Sequence, residues 1–173
     1  MSLLSRSLDN GSFSKSSPVL TGAVSINAAF FAEIKEENRQ LAELVALCQE
    51  VFQPPPRRMR WQRRVSLLRR LRDQLAMHFA LEDAYGYFDD AVDVAPRLAD
   101  EAEQLRREHD DLFLEICNLV DLAEQALYHE GRECSLPRLC SRYQEFHRRL
   151  QAHEERENSL IFSAFDDDIG VGD

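Results

Sequence analysis

Glycine is scarce in this chain, six in 173 residues, and runs of β-branched residues are few, which excludes a turn-rich all-β architecture. Excess positive charge is also missing. Lys and Arg total 21 against 31 Asp and Glu, for a net charge of -10, and phosphate repulsion argues against nucleic-acid binding as the main function. No stretch approaches the about 18 uninterrupted apolar residues of a membrane span, and the Ser-rich start lacks the apolar core of a signal peptide. The four cysteines (Cys48, Cys117, Cys134, Cys140) show no CxxC spacing, so free thiols in a reducing compartment are expected, and with them a cytoplasmic location without membrane contact.

What is present is helical patterning. Hydrophobic residues make up 44% of the chain and charged residues 30%, the balance of long amphipathic helices, and the length suits one domain with a real core. A Ser-rich leader over residues 1–24 is expected to be disordered. Four helical patterns follow. The first runs from Ser25, a suitable N-cap, to Phe52, where "QPPP" stops it. The second spans Arg58 to Phe88 and is set off from the third by "DDAVDVAP". The third starts near Pro96 and ends before "HEGREC", and the fourth runs from about Ser135 to Phe165. Short connections make consecutive helices antiparallel neighbours, so residues 25–170 are predicted to form an all-α, up-down-up-down four-helix bundle.

The core stripes carry ionisable residues. Helix 4 reads Leu139, Tyr143, Phe146, Leu150, His153, Glu157, Leu160, Ala164, and helix 2 reads Leu68, Leu71, Leu75, His78, Glu82, Tyr85. Helix 3 places His109 in an otherwise apolar line from Leu98 to Leu119. In an antiparallel hairpin, residues equidistant from the turn lie opposite each other. The midpoint of 109 and 153 is Gly131, and that of 78 and 109 falls between Asp93 and Val94, both inside predicted turns. His78, His109 and His153 are therefore predicted to share one layer. Reflection through the proline turn places that layer on helix 1 near Glu37 and Asn38.

Two carboxylates buried together cost several kcal/mol per ion unless neutralised, and no Lys or Arg lies on these stripes near the layer. A bound cation is the simplest remedy, and imidazole with carboxylate suits Fe, Zn or Mn. A zincin reading fails, because H-E-x-x-H would need a histidine at 157, which is Glu157. A single His in a core, such as His109, is more often a structural residue; three placements at one level point to a metal layer.

These residues resemble the hemerythrin-like (HHE cation-binding) proteins over about residues 26–170. "LAMHFALED" looks like the family's helix 2 motif, "LRREHDDL" its helix 3 histidine and "HEERENSLIFSAFDDDIG" its helix 4 motif. The resemblance implies a non-haem centre of two iron ions, oxo- or hydroxo-bridged, with Zn or Mn as substitutes, and His78, Glu82, His109, His153 and Glu157 as ligands. The family usually places a histidine after an acidic residue on helix 1. The matching position here is Asn38, which makes Glu37 the helix 1 candidate. The implied function is binding or sensing of O2, peroxide, NO or iron. An oxidase- or ferroxidase-type enzyme is the alternative, with Glu37 as its supporting feature, and a bundle with a degenerate site acting through protein contacts is a third reading.

Eight arginines between Arg57 and Arg72 surround Trp61. They form a candidate surface for a protein partner or oligomer contact, with a solvated face paired to acidic neighbours as the plainer expectation. His147 stands about 240° around the helix from His153 and is expected at the surface, as is His129. Tyr143 and Tyr85 are both expected to pack in the core, with a hydrogen bond to a metal ligand as the alternative role for Tyr85, one turn beyond Glu82.

Overall fold

The computed structural model describes residues 21–54, 59–86, 88–128 and 135–166. Most of the expected leader and the "HEGREC" turn, with His129 and Cys134, lie outside the described residues, as does the side chain of Tyr85. Four long helices, α1 (Thr21–Phe52), α2 (Trp61–Tyr85), α4 (Ala99–Tyr128) and α5 (Leu136–Asp166), form the bundle, with a short α3 (Asp89–Val94) between α2 and α4. The helices contact one another in the cycle α1, α2, α4, α5 and back to α1, as the up-down-up-down reading requires. No described helix is long and apolar enough to cross a membrane.

Several ends differ from expectation. α1 begins at Thr21, ahead of Ser25, and runs through Gly22 without interruption. α2 begins at Trp61, since Arg60 is still extended (φ -69, ψ 146), and it stops at Tyr85 because Gly86 turns into the left-handed region (φ 63, ψ 47). The Gly86 N–H donates to the Glu82 carbonyl, so the helix closes on the backbone of a predicted site residue. Part of the expected connector is itself helical: Asp89 and Asp90 occupy the first turn of α3, where acidic side chains favour a helix N-terminus. A 3-10 turn over Pro96–Leu98 then leads into α4. Ser135 starts α5 as expected, its hydroxyl accepting from the Arg138 N–H at 3.4 Å.

Two apolar clusters fill the interior. The larger includes Leu41, Phe52, Leu68, Leu75, Phe79, Leu112, Ile116, Phe146 and Leu150. The smaller includes Phe88, Ala91, Ala102, Leu105, Leu160 and Ala164, with α3 packed against α5. Between them along α4 and α5 lie the buried polar residues His109, His153 and Glu157, and on α2 the buried His78 and Glu82 flank Phe79 at the end of the larger cluster. Burying a Leu or Phe contributes about 1.5–3 kcal/mol, so the apolar clusters on either side offset the cost of the polar layer. Tyr143 is buried, 4.9 Å from the Phe52 ring, and its hydroxyl donates to the Val45 carbonyl at 3.3 Å.

Arg64 is the exception in the arginine segment, being 2% exposed, stacked over Trp61 at 5.6 Å and donating to the Met59 carbonyl. Arg69 pairs with Glu124 of α4 at 2.7 Å, and Arg72 with its own neighbour Asp73. Cys48, Cys117 and Cys140 are free thiols.

Gly86 accounts for the α2 stop. An alanine there would hold a left-handed conformation that costs an L-residue about 1–2 kcal/mol. The Gly86→Ala variant is expected to lower the melting temperature by roughly 2–8 °C while keeping the helical circular dichroism; an unchanged melting temperature would show that the turn is relaxed in another way.

Candidate metal centre

α2 supplies His78 and Glu82, α4 supplies His109, and α5 supplies His153 and Glu157; all five are between 2% and 6% exposed. The i, i+4 spacing stacks each His and Glu one turn apart on the inward face of its helix. His78 Nε2 lies 3.3 Å from Glu82 Oε1, and His109 Nε2 lies 3.5 Å from Glu82 Oε2. Glu157 Oε1 is 3.3 Å from His109 Nε2 and 3.0 Å from His153 Nε2. The three imidazoles thus turn their Nε2 atoms toward two shared carboxylates. Two sets of three donors result, each within 4.8 Å: His78, Glu82 and Glu157, and His109, His153 and Glu157.

The outer nitrogens of two histidines are held by acids that the inward stripes did not include. His109 Nδ1 is 3.3 Å from Asp83 Oδ1, and His153 Nδ1 is 3.1 Å from Glu108 Oε2. Arg156 donates to the other Glu108 oxygen at 2.6 Å and Gln104 donates to it at 3.2 Å. Such contacts fix the tautomer with the proton on Nδ1 and leave the Nε2 lone pair facing inward. Phe79 completes the surroundings, stacked on His109 with centroids 4.3 Å apart and set edge-on to His153 at 6.0 Å. A carboxylate immediately before or after a histidine on the same helix was the signal available for Glu108, whereas Asp83 and Phe79 follow Glu82 and His78 by one residue.

Glu37 is not brought into this group. Its carboxylate accepts a hydrogen bond from Gln74 and lines a separate groove with Leu44, Asp73 and Met77. One residue turns a helix by about 100°, so Asn38 faces the other way. Asn38 lines a groove of about 1010 Å³ between α1 and α5, which reaches His78, Glu82 and Glu157 at its base. Gln49 and Gln144 join α1 to α5 along this groove with amide hydrogen bonds of 3.2 Å. His147 is half-buried on the groove wall, stacked on Tyr143 at 6.1 Å, and is not the plain surface residue expected.

The electrostatics of the five residues are those of a site built around positive charge. Burial first, then the charges of Glu157, Asp83 and Glu154, push the Glu82 carboxyl up to about 9. Burial acts the same way on Glu157, but the His109 and His153 imidazoles beside its carboxylate outweigh it and hold Glu157 below the usual carboxylate range. Burial lowers His78 to about 4, against Glu157 and with the help of His109 and His153. On His153 burial is outweighed by Glu157 and Glu108, and the imidazole is raised. Glu82 Oε2 and His153 Nε2 are buried without a hydrogen-bond partner among the described residues. An imidazole lone pair aimed at a carboxylate oxygen needs a proton or a cation between them, so the donor set fits a metal ion.

The family model described as "Hemerythrin HHE cation binding domain" matches residues 29–165. The chain belongs to this family. Comparison with curated proteins and with solved structures found no match. Cation binding is the property by which the hemerythrin HHE domain is described, and the His/Glu groups of this member could hold a metal.

The hemerythrin layer makes metal uptake and pH interdependent. Without metal, the folded state keeps the Glu82 proton up to about 9 whereas the unfolded chain releases it near 4.5, so folding stability from this group falls as pH rises through that window. The raised His153 adds to the fall above its ordinary value of 6.5. A divalent ion held by Glu82 would displace this proton and remove that penalty. The melting temperature of metal-free protein is expected to drop between pH 6.5 and pH 9, and the stabilisation given by added Co2+ to grow over the same range. Differential scanning fluorimetry measures both. A Co2+ stabilisation that shrinks as pH rises would contradict the proton competition.

Proposed function

We propose that this hemerythrin HHE domain is a di-iron protein that binds or senses a small ligand of the O2, NO or peroxide type. The observation that carries the reading is Glu157, which belongs to both three-donor groups and stands between the two sets of imidazoles. A carboxylate shared in this way suits two ions side by side in one bundle layer. The residues proposed to hold them are His78, Glu82, His109, His153 and Glu157. Iron, when bound, supplies reversible electron transfer and open coordination positions.

The protein's own groups do the rest. Asp83 and Glu108 orient two of the imidazoles and keep their protons on the outer nitrogens. Phe79 stacks on His109 and the apolar clusters pack on either side of the layer, which strengthens the charge interactions within it, while a smaller opening between α4 and α5 is lined by Glu108, His153 and Arg156. On the other side the α1–α5 groove gives a small ligand a route to His78 and Glu82 without any helix moving. The enzyme alternative had Glu37 as its support on α1, and the Glu37 carboxylate is engaged by Gln74 instead.

Iron analysis of tag-free protein from iron-replete cells, together with its visible charge-transfer absorption, tests the reading. Two irons per chain are expected, matching the two donor groups. The His78→Ala and His153→Ala variants are expected to lose iron and absorption while keeping their helical content. Protein that carries no iron under these conditions and takes none up on reconstitution would refute the di-iron function.

A further inference from the structure

The two donor groups are unequal. The inner group has two imidazoles, His109 and His153, each oriented by an acid, and lies away from the α1–α5 groove. The outer group has one imidazole, His78, and opens onto that groove. Among the described residues no acid holds the Nδ1 of His78. Among the described side chains of α1, Asn38 is the polar one at this level, and its exposed amide is a weak donor to a hard cation beside two carboxylates.

The opposite wall of the groove carries a better donor. Glu154 precedes Glu157 by three residues on α5, so the two carboxylates share one side of the helix, and His153 lies on the side toward α4. Glu154 is half-buried and lines the same groove as His78, Glu82 and Glu157. Among the described residues no arginine pairs with it: Arg148, on the same groove, is taken by Glu145, and Arg156 by Glu108. The site also holds an unpartnered buried acceptor, Glu82 Oε2. Glu154 stands outside the two close donor groups but lines the groove onto which Glu82 and Glu157 open, and a third carboxylate there without an arginine partner among the described residues favours a cation.

We propose that Glu154 is a metal-binding residue that completes the outer position from α5, on the side where α1 presents Asn38. This rests on the two-ion reading above. The outer ion is then held by three carboxylates and one imidazole, and the inner one mainly by imidazole nitrogen.

Titration of metal-free, full-length protein with Co2+, followed by calorimetry and visible absorption, tests the assignment. The parent chain is expected to bind two ions, and Glu154→Gln to weaken one of them by at least ~10-fold, with a changed Co2+ spectrum, while the other keeps its affinity. Asn38→Ala is expected to leave both affinities unchanged. In a His78→Ala background, where the outer ion is already lost, adding Glu154→Gln should leave the remaining ion as it was. Circular dichroism of each variant separates these effects from misfolding. Glu154→Gln protein that binds both ions as tightly as the parent, with the same spectrum, would overturn the proposal; so would weakening of the ion retained without His78. A parent chain that binds only one Co2+, or none, would instead overturn the two-ion reading on which the proposal rests.

Discussion

Two carboxylates, Glu82 and Glu157, are buried in a layer with three imidazoles and no lysine or arginine among the five, and the rest of the bundle is arranged around that constraint. A bundle of this size could fill the same positions with leucine and gain stability. Here the apolar clusters above and below must carry the fold, while the layer between them holds groups whose charges oppose one another unless protons or cations intervene. The upward push on Glu82 and the downward pull on Glu157 are two faces of this opposition: one carboxyl keeps a proton so that the other can remain ionised beside His109 and His153.

Support for the layer comes from a ring outside it. Asp83 and Glu108 hold the outer nitrogens of His109 and His153, and Arg156 and Gln104 hold Glu108. These links run between helices: Asp83 ties α2 to α4, while Glu108 ties α4 to α5. The same contacts that aim the imidazoles therefore also fix the relative positions of three helices. α1 takes no part in this ring. Its ties to the others include the larger apolar cluster, the Gln49–Gln144 pair, the Tyr143 hydroxyl and the Gln74 amide.

Much of this was legible in the sequence, for definite reasons. Alternating three- and four-residue steps identify an inward stripe, and symmetry about short turns sets its level, so His78, His109 and His153 were expected together and are found around the same two carboxylates. Residues at the edge of a stripe are less legible. Asp83, Glu108 and Glu154 each lie one position from an inward ligand and read as solvent-facing acids until the neighbouring helix is in place. On α1 the level was right and the azimuth was not: Glu37 and Asn38 differ by one residue, and the pattern of Ile34 and Leu41 allowed either inside. Helix ends followed local chemistry that periodicity does not carry, as at Gly86, where a left-handed residue ended α2 three positions early.

The backbone bond from Gly86 to Glu82 has a wider meaning for such a centre. Glu82 sits in the last turn of α2, where carbonyls lack partners further along the helix. The cap takes up the carbonyl of Glu82 itself, so the main chain of a residue proposed to hold metal is anchored at the point where a helix would ordinarily fray. Loading and unloading of cations then changes charge against a fixed backbone, and the side chains, together with the groove beside α1, are left to absorb the movement.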